Sequence, residues 1–408
     1  MKHFYVSLTE ACNLDCAWCF WHQDAERAGD EFDLAAVLQT IGRSLFGADD
    51  CGSSGNGSTC TSELTQDISE SFIVFYGGEP TLRMERMVEV MDAVEESFPA
   101  IKWRFAVQTN GTRLGDVEAL GERVWYISLS INEYTIEHID GDVLERMGRR
   151  MPIIARMTYA GKSLVELVEP LLPSISHVYW QLMNAAQLPF TVQQYGEELE
   201  QLLELAARHP EKMFVPLDYA WSCGGDGLAG AAQASGGERA ARESIAGGGV
   251  MGESVMAESV MMESTMGGKA LVKAGAGAGC CSGGSGDVTS PGAASASRAA
   301  DRDWFPCGVG GDLVYIDPRG QTSVCDELSL NGLTGDFAAV VGSVKERCAS
   351  CELVDACRGR CPAVHMKYGS AAFERYCELT RLLFDTVRKS DHRGRPVDEV
   401  GKQTEVMH

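Results

Sequence analysis

The chain has 408 residues, 45% of them hydrophobic, and carries a formal net charge of -23. That charge repels phosphate backbones and argues against nucleic acid as a direct partner, and no run of about 18 apolar residues is present to span a membrane. Fifteen cysteines would suit a secreted disulfide scaffold, but no charged, apolar and small-residue signal opens the chain, so the expectation is ligand thiols in a reducing, cytoplasmic setting.

The length is ample for one large domain and a smaller one. In chain order, a strand-like run, Phe4 to Thr9, leads directly into Cys12, Cys16 and Cys19, spaced C-x3-C-x2-C. A cubane iron-sulfur cluster is normally closed by four cysteines. Three with no near fourth leave one iron free, and an open metal position usually means chemistry. The alternative is a zinc knuckle, with His22 three residues past Cys19 as a fourth ligand. Further strand-like runs follow at Ser71 to Tyr76, Arg104 to Gln108, Val124 to Ile131, Ile153 to Thr158 and His177 to Leu182. Amphipathic stretches separate several of them, as in Leu82 to Phe98, where Met87, Val88, Val90, Met91 and Val94 recur at helical spacing. Six strands alternating with helices predict a parallel α/β arrangement over residues 1–188.

Two segments interrupt this pattern. Residues 47–67 form a Gly/Ser/Thr-rich insert with Cys51 and Cys60. Residues 189–221 read as a bridge, and residues 222–302 are dominated by Gly, Ala, Ser and Met, with tandem pentads at 252–256, 257–261 and 262–266. Such a composition cannot build a core and reads as a flexible insert. A C-terminal unit spans 303–390, with a hairpin (Leu313 to Asp317 and Gln321 to Cys325, joined by Pro318-Arg319-Gly320) and a final helix, Phe373 to Lys389. Residues 391–408 are a polar tail.

The cysteine triplet, together with Tyr76-Gly77-Gly78-Glu79-Pro80 one strand and one helix later, resembles the signature of the radical S-adenosylmethionine (radical SAM) enzymes. The resemblance implies a six-stranded partial (β/α)6 barrel with its site at the C-terminal strand ends. It also implies a 4Fe-4S cluster on Cys12, Cys16 and Cys19, whose free iron holds the methionine part of S-adenosyl-L-methionine and whose electron releases a 5'-deoxyadenosyl radical. By the same likeness Trp18 lies beside the adenine. Gly77, Gly78, Glu79 and Pro80 meet the methionine amino group, glycine admitting close backbone approach. Alone, Gly-Gly before Glu-Pro is an ordinary turn. Asn110 in Gln108-Thr109-Asn110-Gly111-Thr112, Ser130 in Ser128-Leu129-Ser130, and Arg156 are assigned to the ribose and carboxylate. An Arg in the apolar run Pro152 to Met157 needs a partner, either a ligand carboxylate or a structural Asp or Glu.

Cys307, Cys325, Cys348, Cys351, Cys357, Cys361 and Cys377 resemble the seven-cysteine SPASM extension, which in its relatives carries two auxiliary iron-sulfur clusters. By position, Cys307, Cys325 and Cys361 go to the first, and Cys348, Cys351, Cys357 and Cys377 to the second. The first is one ligand short, so either an iron is open or Cys223, Cys280 or Cys281 completes it. A zinc-binding domain is the plainer alternative. Asp326, next to Cys325, matches a candidate general base of sulfatase-maturing relatives; otherwise it is a turn residue.

The ordered segments resemble a group of radical SAM/SPASM proteins known mainly from archaea and associated with peptide modification. The expectation is an enzyme that crosslinks, dehydrogenates or epimerises a ribosomally made peptide or protein, fed by an external electron donor such as ferredoxin or flavodoxin. The alternatives are a formylglycine-generating sulfatase maturase and a non-catalytic iron-sulfur scaffold or electron-transfer protein.

Overall fold

A computed structural model describes residues 2–19, 31–46, 68–224, 313–323, 337–357, 359 and 361–390. The insert at 47–67, almost all of the one at 222–302 and the tail from 391 lie outside the described residues. The frame is a sheet of strands β1 (Lys2–Thr9), β2 (Glu70–Gly77), β3 (Lys102–Thr109), β4 (Val124–Ile131), β5 (Ile153–Tyr159) and β6 (His177–Leu182), each parallel to the next. Between them run helices α1 (Leu34–Phe46), α2 (Met84–Ser97), α3 (Leu114–Ala119), α4 (Gly141–Gly148) and α5 (Leu164–Val168). Stepping always to the adjacent strand, with right-handed crossovers, puts such helices on one face of the sheet.

The strand sequences carry that arrangement. Phe4, Val6, Leu8, Ile73, Phe75, Phe105, Val107, Ile127 and Leu129 share one core with Val37 and Ile41 of α1 and Met87, Val90, Met91 and Val94 of α2. Alternate residues, Tyr5, Phe72, Val74, Tyr76, Ala106, Tyr126, Ile154 and Tyr179, form a second, separate cluster on the opposite face. Strands covered on both faces explain the near-continuous apolar runs in the sequence. Toward the C-terminal ends, the second face turns polar, with Ser7, Gln108, Ser128, Ser130 and Arg156.

The sheet is wider than six strands. After α6 (Val192–Arg208) comes β7 (Met213–Phe214), parallel to β6, and then α7 (Val215–Gly224). Two residues are too few to show alternation, which is why β7 left no sequence signal. The bridge at 189–221 thus holds two helices; α6 opens with a capping box of Thr191 and Gln194. The hairpin is present as β8 (Leu313–Ile316) and β9 (Thr322–Ser323), and β8 adds parallel to the free edge of β1. Its turn is seated on α1: Gly320 has φ +75°, and a Cβ there would stand 2.5 Å from the Ala36 backbone.

The C-terminal unit continues with α8 (Phe337–Cys348), α9 (Val354–Cys357) and α10 (Pro362–Lys389), which bends at Gly369 (φ 76°). α10 begins eleven residues before the expected Phe373, because the bend hides its first turns from a periodicity reading. Leu379, Leu383, Phe384 and Val387 join the core of α6 and α7 through Leu199, Leu202, Leu203, Leu217 and Ala220. The Tyr376 hydroxyl donates to Met183 O and accepts from Ala185 N, and Tyr368 Oη donates to Asn184 O at 3.1 Å, tying α10 to the chain leaving β6.

Candidate functional site

The loop leaving β1 carries Cys12, Cys16 and Cys19, all partly exposed free thiols. A turn closes it, with Cys19 N donating to Cys16 O at 2.9 Å. The turn after β2 grips the loop from the side: Gly78 N donates to Thr9 O at 2.9 Å and Glu79 N to Ala11 O at 2.8 Å. The glycines make that approach possible. A Cβ on Gly77 (φ +126°) would lie 2.4 Å from Thr9 O, and one on Gly78 would lie 2.2 Å from Ala11 O. In this arrangement, the close approach that the Gly-Gly pair permits is to the cysteine loop itself.

Glu79 is fully buried. Its Oε1 accepts from Thr81 N (3.1 Å), Thr81 Oγ1 (2.6 Å) and Thr109 Oγ1 (2.7 Å), and its Oε2 from Asn110 N (2.7 Å). Burial pushes the carboxyl above its ordinary range, against the opposing pull of these donors. Glu79 thereby fastens the end of β2 to the end of β3. Pro80, next to it, is buried and opens the 3-10 turn Pro80–Arg83.

From the end of β3, Asn110 reaches the cysteine loop. Its Nδ2 donates to Asn13 Oδ1 (2.9 Å) and toward Cys12 Sγ (3.7 Å), while its Oδ1 accepts from Thr112 N (3.0 Å) and Thr112 Oγ1 (2.7 Å). Asn13 in turn donates to Thr112 Oγ1 at 2.9 Å. Trp18 meets Tyr134, from the loop after β4, edge to face at 6.4 Å, and Trp18 Nε1 is buried with no hydrogen-bond partner among the described residues. Ser130 and Arg156 are paired in register on β4 and β5. Arg156 Nη1 donates to Gln108 Oε1 at 3.1 Å, and its guanidinium stands 5.8 Å over the Tyr179 ring. Thr81, Thr109, Asn13, Gln108 and Tyr134 were missed by sequence reasoning. Only Gln108 and Thr109 had a signal, as neighbours of Asn110 in one strand-end run.

The donor set allows a test of fit to a metal centre. Burial, then the nearby thiols of Cys19 and Cys12, then Glu133 and Asp15, push the Cys16 thiol up to about 12. The three sulfurs are therefore close enough to repel one another as thiolates, and a cationic centre relieves that repulsion. Among the described residues, no three His, Cys, Asp or Glu side chains converge as ligands of a single ion. A cubane asks for something different, since each thiolate binds its own iron and the sulfurs stand apart across a larger body. Three thiols on one loop, each able to bind its own iron, fit a cubane with one iron left open.

Of the C-terminal set, Cys348 is buried, while Cys351, Cys357, Cys361 and Cys377 are partly exposed; all are free thiols. Burial and the thiols of Cys377 and Cys351 raise Cys348 above the ordinary thiol range. This brings three of the four cysteines assigned to the second auxiliary set into one neighbourhood. Cys307, Cys325 and Asp326, with Cys280, Cys281 and His22, lie outside the described residues, and Cys223 falls in α7.

No family model matches the chain, and no curated protein matches it. Solved structures do. The native anaerobic sulfatase-maturing enzyme anSMEcpe with bound S-adenosylmethionine is 12% identical, with 94% of this chain and 96% of that one covered at a TM-score of 0.54. The same enzyme with bound S-adenosylmethionine and the Cp18Cys peptide is 13% identical, with 94% and 98% covered at 0.53. Streptococcus suis SuiB bound to S-adenosylmethionine is 13% identical, with 88% and 70% covered at 0.44. The chain thus shares with the anSMEcpe structures an α/β fold built on a parallel sheet. Among the described residues, no helix is long and apolar enough to cross a membrane.

Proposed function

We propose that this protein is a radical SAM enzyme that modifies a ribosomally made peptide or protein. One observation carries the reading: at one end of a parallel sheet, a three-cysteine loop is clasped by the Gly77–Gly78 turn and by Asn110 of the next strand end. In this reading Cys12, Cys16 and Cys19 hold a 4Fe-4S cluster on a partial barrel, and bound S-adenosylmethionine supplies a 5'-deoxyadenosyl radical. The chain's own residues then have definite tasks. Asn110 stabilises the thiolate form of Cys12 by donating to its sulfur. Glu79 holds two strand ends rigidly, so that the loop keeps its shape. The unpartnered Nε1 of Trp18 offers a donor to an adenine nitrogen. Ser130 and Arg156 offer a hydroxyl and a planar fork to a carboxylate, with Gln108 and Tyr179 fixing the guanidinium.

The C-terminal cysteines would hold two auxiliary clusters that exchange electrons with the substrate, and the overall electron supply would come from a small donor such as ferredoxin or flavodoxin. Crosslinking, dehydrogenation and epimerisation are the reaction types that suit a peptide. Assignment to the mainly archaeal peptide-modifying group rests on the sequence segments alone. Formylglycine formation on a sulfatase, with Asp326 as base, is the second reading; the full-length fold likeness to a sulfatase-maturing enzyme favours it. Anaerobically reconstituted protein with S-adenosylmethionine and dithionite tests both. 5'-Deoxyadenosine above a Cys16→Ala control is expected, and its absence leaves only the non-catalytic scaffold. Conversion of a Cys-containing sulfatase peptide to formylglycine, read by mass, would select the second reading.

A further inference from the structure

Cys377 and Arg381 are four residues apart on α10, so their side chains share one face of the helix. Arg381 Nη2 donates toward Cys351 Sγ at 3.8 Å, across from α10 to the turn after α8. The neighbouring cation Arg347 is differently engaged, 3.6 Å from Glu374 and stacked 5.5 Å over Phe373. Arg381 is thus a cation whose hydrogen bond goes to a cysteine sulfur, in the same neighbourhood as Cys348.

Hydrogen bonds to sulfur and local net charge are two of the levers that set an iron-sulfur potential. Reduction adds one negative charge, and a cation with its N–H aimed at a ligand sulfur stabilises that extra charge more than it stabilises the oxidised form. We propose that Arg381 raises the reduction potential of the cluster held by Cys348, Cys351, Cys357 and Cys377, and so makes it an electron acceptor. This rests on the reading of those cysteines as cluster ligands. One electron enters the cluster from a mediator-coupled reductant, and no bond or proton changes at Arg381.

The test is an EPR-monitored redox titration of the full-length chain, reconstituted anaerobically in a Cys12→Ala, Cys16→Ala, Cys19→Ala background that leaves the C-terminal signals alone. Arg381→Gln is expected to lower the reduction equilibrium constant of one signal by about tenfold, which is about 59 mV for one electron, with iron content unchanged. Arg381→Lys keeps the charge and loses the fork, and should fall between Arg381→Gln and the parent. Unmoved potentials with iron retained would overturn the proposal. Loss of iron in both variants, with the remaining potentials unmoved, would overturn it equally, by making Arg381 a structural anchor. Should Arg381→Gln fail to fold, Arg381→Lys against the parent decides by the same criterion. A parent with no C-terminal signal at all would instead sink the cluster reading beneath it.

Discussion

The two cysteine regions both crowd thiols together but differ in the charged side chains set among them. Around Cys16 stand Asp15, Glu133 and two further thiols, and the side chain aimed at a sulfur, that of Asn110, is neutral. Around Cys348 stand the thiols of Cys377 and Cys351 and also two cations, Arg347 and Arg381, and the side chain aimed at a sulfur is a guanidinium. The supports differ as well: the first region rests on adjacent ends of β1, β2 and β3, the second on helices fastened to the body by two tyrosines. Negative surroundings disfavour the reduced form of a cluster and make it a strong reductant, while positive ones do the reverse. On the proposed reading, the first region gives electrons away and the second receives them.

Separating the regions chemically should give the largest effect. Cys16→Ala is expected to reduce 5'-deoxyadenosine to background and to remove about four of about twelve irons, whereas Cys351→Ala should leave S-adenosylmethionine cleavage measurable and lose peptide product. Iron analysis and product chromatography on both variants check this; abolition of cleavage by Cys351→Ala would break the division of labour. Next comes Gly78→Ala. The new methyl would stand 2.2 Å from Ala11 O, a backbone atom with no flexible end to give way. The cysteine loop must move, at about 3 kcal/mol in stability, and iron in the first region should fall while that in the second stays. Thermal unfolding and iron counts measure the two consequences.

What the sequence disclosed follows from how locally each feature is encoded. The six strands alternating with helices were legible because each strand is one run of apolar residues buried on both faces, and because Leu82 to Phe98 carries a helical period. Residues that act through long-range pairing were not. Asn110 drew attention only by the company of Gly111 and Thr109, and nothing local says that its amide meets a loop nearly a hundred residues earlier. Glu79 read as a ligand-facing carboxylate, and nothing local adds that Thr81, Thr109 and Asn110 supply donors to it. β8 read correctly as half of a hairpin, but its second edge, against β1, depends on a partner more than three hundred residues away. Arg381 lies in the final helix, and nothing local says that its guanidinium meets Cys351, thirty residues earlier.

Acid offers a milder way to probe the sheet that carries the first region. His3 and His177 are both buried, and burial lowers each from 6.5 to about 4. The unfolded chain therefore binds protons that the folded one refuses, so stability rises with pH across this window. The contribution is complete above about 6.5, is lost as pH falls from there towards about 4, and is worth roughly 3 kcal/mol per histidine. His3 lies stacked on Phe72 at 5.0 Å with Nε2 buried and unpartnered among the described residues. His3→Phe should fit the same slot and remove one proton from the slope of denaturation free energy against pH; an unchanged slope would mean that His3 is protonated in the folded state.

The smallest effect tests the support of the second region. Tyr376→Phe keeps the ring, which is almost wholly buried in the core shared by α6 and α10, and removes the hydroxyl that joins Met183 O and Ala185 N. Two backbone groups at the end of β6 lose a partner at a partly buried position, so the cost in stability should be about 1 kcal/mol, the net worth of a typical hydrogen bond. What makes the variant informative is where the loss is felt. If α10 is held to the sheet chiefly by apolar burial, hydrogen exchange should rise around Met183 to Ala185 while α10 stays protected. If the tyrosines are the fastening, exchange should also rise along α10 from Cys361 to Cys377, and the cysteines of the second region should lose iron ahead of Cys12, Cys16 and Cys19.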